Sequence, residues 1–408
     1  MRVSTSSLVC AALALLVAGC GGSSNNNNRG NTPPPAGLTT APAACIGGAA
    51  GSFSCDGVSL RARVPLQDMG GNGGNDIWGW VDPASGNEYA LMGLTNGTAF
   101  VDVTQPESPI FLGRLPTATR SSTWRDIKVH QNHAYIVADG AGAHGMQVFD
   151  LTRLRTVALP QTFSADVVYA DFGNAHNLAI NEDTDYAYAV GTNTCGGGLH
   201  MIDVSTPNNP MFAGCHASGD THDTQCVIYQ GPDPDHVNKE VCASSNEDHV
   251  EIADVSAKIA PASLAVRSYP QLGFVHQGWL TEDHRYLLIG DELDETNFGV
   301  PTRMHVFDVT DLDNPNYLYA FELSTSAIDH NLYVLGNRVF AANYTTGLRV
   351  LEFGDLARQQ ISEVAFFDTF PGSDATVFDG AWSVYPYFPS GNIIVSDVAN
   401  GLFVLTPQ

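Results

Sequence analysis

Four histidines open four look-alike stretches of the chain: His176 in AHNLAI, His222 in THDTQCV, His276 in VHQGWL and His330 in IDHNLYV. Each is followed by a polar residue or lies next to one, among them Asn177, Asp223, Gln277 and Asn331. Acidic residues are densest in DELDE, which holds Asp291, Glu292, Asp294 and Glu295. Imidazoles gathered with carboxylates suit a divalent ion, since His is the commonest ligand for Zn or Cu and oxygens suit Ca or Mn. The candidate metal or ligand set is therefore His176, His222, His276, His330, Asp291 and Glu292, supported by Asn177, Asp223, Gln277, Asn331 and Asp379. The same residues have an alternative role: a polar group opening each strand can hydrogen-bond the neighbouring repeat and water. DELDE lacks the Gly and the strict spacing of an EF-hand loop. No G-x-S-x-G elbow, P-loop or H-E-x-x-H is present, and no catalytic residue can be assigned. Trp78, Trp80, Trp279 and Trp382 read as core packing.

These stretches must be positioned by a repeat. GLHMIDVSTPNNP, residues 198–210, is a short alternating apolar strand, then an Asp, then a Pro-rich turn. The phrase recurs with its acidic or polar mark at Asp102, Asp150, Asp203, Asp254, Asp308, Glu352 and Thr406, at spacings of 48, 53, 51, 54, 44 and 54 residues. That period signals a propeller. The polar-opening phrase recurs as well, with Asp76, Arg125 and Gly380 (after Asp379) standing where the other units carry His. Four short strands in each of seven units predict an all-β, seven-bladed propeller of antiparallel sheets. The inner-strand starts and the loops between second and third strands share one face, so the histidines would ring the channel mouth. Only Leu356–Val364 reads as a helical turn or two. The last unit has three strands, and an unpaired edge invites aggregation. Val58–Leu66 is therefore expected to complete the last blade and close the ring.

The net charge of −25, from 18 basic and 43 acidic residues, argues against nucleic acid as a partner and favours cations or plain solubility. Residues 1–20 carry Arg2, an apolar run Leu8–Val17 and small residues before Cys20. That is a secretory signal too short to span a membrane, with a lipobox that predicts lipidation of Cys20. The Asn/Gly/Pro-rich stretch 21–44 reads as a disordered tether, leaving 45–408 for the propeller. Gly21 replaces the Asp typical of inner-membrane retention, so an exported, outer-membrane lipoprotein is expected, as a monomer. Six cysteines remain after Cys10 and Cys20, an even number that reads as disulfides in an exported chain. Cys226 and Cys242 fall on consecutive strands of one unit and Cys45 and Cys55 close a short loop, which leaves Cys195 with Cys215.

The Asp phrases MIDVSTPNNP and FVDVTQPESP resemble the LVIVD repeat of bacterial propellers. AHNLAI, GGGLHMIDVS, THDTQCVIY, SNED, HQGWLTEDHRYLLIGDELDE and AIDHNLYV together resemble the choice-of-anchor B family over roughly residues 60–408. The resemblance implies an exported propeller attached to the cell surface and supplies no reaction. Two functions stay open: a binding or interaction module, and a metal-dependent hydrolase or oxidoreductase working at the His-ringed mouth. The ligand, protein or small molecule, is not specified by the sequence.

Overall fold

A computed structural model describes residues 38–217 and 219–408. The expected signal peptide, Cys20 and most of the tether lie outside the described residues. Seven sheets surround a channel, antiparallel throughout except where Gln161–Thr162 adds a short parallel edge to blade one. Their innermost strands are Gly74–Val81, Arg125–His130, Asn177–Asn181, Asp223–Ile228, Val275–Leu280, Leu332–Leu335 and Ala381–Tyr385. Each packs against the next, and the last packs against the first.

All seven copies of the Asp phrase form the third strand of a blade, from Gly97–Asp102 to Gly401–Pro407. The acidic mark has a local cause. In five blades the carboxylate accepts a hydrogen bond from the backbone N–H two residues on, at 2.9–3.0 Å: Asp102 from Thr104, Asp150 from Thr152, Asp203 from Ser205, Asp254 from Ser256 and Asp308 from Thr310. This Asx turn ends the strand and starts the reversal into the outer strand. Where the phrase is degraded the turn changes, and Leu356–Arg358 is a single 3-10 turn. The remainder of the expected helical stretch belongs to an outer strand, Ile361–Phe367, because Ile361, Glu363 and Ala365 pair with the third strand of blade six.

Val58–Val64 pairs antiparallel with Gly401–Pro407 and completes the last blade. Val58 and Leu60 are buried with Phe403 and Leu405. The chain also adds strands the repeat does not announce. Ala49–Ala50 and Phe53–Asp56 extend blade six to six strands, clipped by the Cys45–Cys55 disulfide. Residues 38–44, expected within the tether, run beside the closing strand, where Ala43 bridges Leu60 and Arg63 N–H donates to the Thr40 carbonyl at 3.1 Å. The other disulfides are Cys195–Cys215 and Cys226–Cys242. Cys226 faces Cys242 directly across two strands of blade four. A polar knot joins blades three and four: buried Glu240 accepts from Asn181 and Thr184 at 2.8 and 2.7 Å and also pairs with Tyr188 and Lys258.

Candidate metal centre

The inner strands put their side chains into the channel in layers. At the mouth where these strands begin stand Arg125, His176, His222, His276, His330 and Trp382. Asp76, Asn177 and Asn331 share the same cavity lining. In blades one, five and seven the pairing slips at this level, between Gly74 and Ile77, Val275 and Gln277, and Ala381 and Ser383. A bulge re-aims side chains. It explains why the strand-start register read from sequence is off in blade seven: Trp382, not Gly380, lines the mouth, and Asp379 lies beside Asp397 outside it.

The next layer is a belt between blades. Asp76 accepts from Ile127 N–H at 3.0 Å and Asp126 from Leu178 N–H at 2.6 Å. Asn177 donates to the His222 carbonyl at 3.0 Å, Gln225 accepts from Leu280 N–H at 2.7 Å, and Gln277 accepts from Leu332 N–H at 3.0 Å. Asn331 donates to Ser383 at 3.1 Å. Asn177, Gln277 and Asn331 are thus positioned as ring fasteners rather than ligands. Asp223 stands near Lys128 and Asp126, where burial, with Asp126 adding and Lys128 opposing, pushes its carboxyl up to about 7.

The histidines keep a different role. Their rings form a continuous arc, with centroids 4.2 Å apart from His176 to His222, 4.2 Å from His222 to His276 and 4.3 Å from His276 to His330. His222 Nδ1 lies 2.8 Å from the His276 carbonyl oxygen and His330 Nδ1 bonds the Trp382 carbonyl. A carbonyl oxygen only accepts, so both Nδ1 atoms carry the proton and both Nε2 atoms carry the lone pair. His176 Nδ1 meets the Asp139 carboxylate at 3.0 Å. That carboxylate–histidine arrangement is the one that orients metal-bound imidazoles. Glu292 Oε1 lies 3.6 Å from His330 Nε2 and 3.8 Å from His276 Nε2 and accepts from the Tyr344 hydroxyl at 2.9 Å. His276, Glu292 and His330 can each offer one ligand atom within 4.8 Å of the others.

Burial holds His222 and His276 well below the ordinary imidazole range and His330 down to about 3, so all three are neutral. Burial also opposes charge on His176, but Asp139, helped by Glu292 and Asp223, outweighs it and lifts this imidazole. The enclosed space is about 10 Å³, the room of a single water or ion. Arg125 closes the other side, held by the Leu94 carbonyl and by His144, which confines the cation-binding donors to blades three to six.

Asp291, expected among the ligands, is placed elsewhere. Its carboxylate accepts from Gly273, Phe274 and Leu293 N–H and from the Tyr269 hydroxyl, at 2.7–3.2 Å, and brackets the loop before the inner strand of blade five. Asp291 ends its strand facing this loop, whereas Glu292 is the first residue of the turn that follows and reaches the axis. The tryptophans divide. Trp80 belongs to the core, stacked on Tyr89, and Trp78 and Trp279 pack partly against the core on one side. Trp78 and Trp279 line a cavity of about 410 Å³ at the far end of the channel, with Tyr385, Tyr387, Lys128 and Asp223. Trp78 and Trp279 fall two residues beyond the polar belt on their strands, which turns them to the same side.

Comparison with known proteins agrees with the architecture. The LVIVD repeat model matches residues 172–217, the blade-three copy of the phrase. No curated protein matches the chain. Among solved structures, the β-propeller domain of Cps50 (Swd1) from Myceliophteria thermophila superposes with a TM-score of 0.56 at 10% identity, covering 86% of this chain and 100% of that one. A Lactobacillus plantarum protein gives 0.51 at 14% identity, with 79% and 88% covered. A putative 6-phosphogluconolactonase from Bacteroides uniformis gives 0.50 at 14% identity, with 70% and 87% covered. At these identities the likeness is one of fold alone. The chain is a seven-bladed β-propeller carrying an LVIVD repeat.

Proposed function

We propose that this propeller is an exported, lipid-anchored binding module of the choice-of-anchor B type that holds one divalent metal ion at the mouth of its channel. The observation that carries the reading is the fixed tautomer of His222 and His330 beside Glu292. Backbone carbonyls hold the Nδ1 protons of His222 and His330, and the Nε2 side of His330 faces Glu292 and His276 in a space of one ion. Two imidazoles and a carboxylate suit Zn or another transition metal. Three disulfides support an oxidising compartment. The lipid anchor would be Cys20, in the outer membrane; Cys20→Ala should move the protein from the membrane fraction to the soluble one, and unchanged fractionation would refute the anchor.

Elemental analysis and zinc titration test the centre. One metal per chain is expected, lost in His276→Asn/His330→Asn. Substoichiometric metal, with no effect of chelator on melting, would make the histidines structural. The second reading, a metal-dependent hydrolase or oxidoreductase working at the His-ringed mouth, draws on the same three donors, His276, Glu292 and His330.

A further inference from the structure

Behind the axial centre lies a second cluster that the ring does not use. Asp294 and Glu295 follow the second strand of blade five, Tyr286–Asp291, and Asp329 precedes the inner strand of blade six, Leu332–Leu335. The three side chains are 0%, 3% and 6% exposed. Each offers a carboxylate oxygen within 4.8 Å of the others.

Hydrogen bonding divides this cluster sharply. Asp294 Oδ2 is taken by Arg303, at 2.8 Å from Nε and 2.6 Å from Nη2, and by His305 Nε2 at 3.3 Å. Asp294 Oδ1, both oxygens of Glu295 and Asp329 Oδ1 receive no donor, although all are buried. Among the described residues Arg303 and His305 pair with Asp294, and no cationic side chain forms an ion pair with Glu295 or Asp329. Buried carboxylates left without donor or counterion are costly. Burial and the neighbouring carboxylates hold Glu295 and Asp329 well above the ordinary carboxylate range, and a divalent cation would take the place of the protons they keep.

The backbone is shaped to bring these oxygens together. A Cβ on Gly290 would lie 2.3 Å from Asp329 Oδ2, and a Cβ on Gly273 would lie 2.6 Å from Asp294 N. Asp291, saturated by its own loop, fixes the direction in which Asp294 and Glu295 leave the strand.

We propose that Asp294 Oδ1, Glu295 and Asp329 Oδ1 form a second metal site, an all-oxygen one suited to Ca²⁺, that ties blade five to blade six. Carboxylate oxygens without imidazole or thiolate are a hard donor set, and calcium completes its shell of six to eight oxygens with water. The proposal uses no ligand of the axial centre, so either site can fail alone.

The test starts from full-length protein stripped with EGTA. Calcium is titrated by calorimetry, melting is followed in parallel, and Tb³⁺ luminescence serves as an independent probe. One Ca²⁺ per chain and a rise in melting temperature are expected. Glu295→Gln keeps the shape and removes a group that can ionise to bind the metal; it should weaken calcium about tenfold or more, taking metal-site substitutions as a guide, and should not lower the melting temperature of the stripped protein. Asp329→Asn should behave alike and stands in if the first variant folds poorly. His276→Asn/His330→Asn should lose zinc and keep the calcium response. No calcium-dependent melting shift and no Tb³⁺ signal in the unmodified protein would overturn the site. So would a calcium response undiminished in both carboxylate variants.

Discussion

Removing the closing strand is the sharpest perturbation the fold allows. A chain lacking residues 1–66 loses Val58 and Leu60, which are 0% and 1% exposed, from the face of the last blade. Burying two such side chains is worth about 3–6 kcal/mol at roughly 1.5–3 kcal/mol each. The hydrogen-bonded edge of Gly401–Pro407 is lost as well. Against a total stability of about 5–15 kcal/mol this is decisive, and the bared edge is a template for aggregation. Two controls isolate the effect. A chain lacking 1–37 keeps every described contact and should melt like the parent. A chain lacking 1–56 keeps the closing strand but gives up the Cys45–Cys55 clip and Phe53; it should melt several degrees lower, at roughly 1–2 °C per kcal/mol for a domain of this size. Differential scanning calorimetry with light scattering reads all three. If the chain lacking 1–66 remains monomeric and melts with the one lacking 1–56, ring closure by Val58–Val64 contributes nothing and the reasoning fails.

Three further outcomes follow from named contacts. Replacing Cys226 and Cys242 together by Ala should cost about 3 kcal/mol in the chain-entropy account of a loop of 16 residues; peptide mapping that finds Cys226 joined to Cys195 would refute the pairing itself. In chelator, the parent should lose stability relative to His330→Asn as pH drops from about 6.5 toward about 3. The buried His330 binds fewer protons folded than unfolded, so acid favours the unfolded parent by up to about 1.4 kcal/mol per pH unit, while raised carboxyls such as Asp223 and Asp397, which act the other way, are common to both chains; parallel pH profiles for the two would contradict it. Glu240→Ala leaves Lys258 buried without its partner and should destabilise by about 3–5 kcal/mol, whereas a loss under 1 kcal/mol in urea denaturation would show the knot between blades three and four to be relaxed.

The propeller was legible because one strand ending recurs with a physical signature. Asp102, Asp150, Asp203, Asp254 and Asp308 each cap their own turn, and that local bond imposes the same residue at each repeat. The disulfide pairs and the closing strand were legible once the repeat gave the register. The site was legible only in part. The histidines could be placed at the mouth from topology, but the separation of Asp291 from Glu292 depends on which of two adjacent residues faces the axis. A bulge displaced the same count by two residues in blade seven, from Gly380 to Trp382. The belt was hidden because Asp, Asn and Gln serve interchangeably at its positions. The cluster of Asp294, Glu295 and Asp329 joins residues more than 30 positions apart, and only the structure shows that their oxygens are left unpaired. The far cavity escaped because a tryptophan facing a channel and one facing a core look alike in sequence.

The N-terminal edge gives the molecule a mechanical asymmetry. A force applied at residue 38 acts first on the short run that lies along Val58–Val64, held by Arg63 to the Leu38 and Thr40 carbonyls and by Ala43 to Leu60. These bonds load one after another and unzip at low force. The next link is covalent, because Cys45 is bound to Cys55. From Cys55 the pull passes into a strand paired with Ile361–Phe367 of blade six, while the closing strand beyond it stays paired along its length in blade seven. Strain arriving from the N-terminal side is thus delivered to the seam between two blades rather than to the ring closure, and reduction of the Cys45–Cys55 bond would transfer that load toward the closing strand.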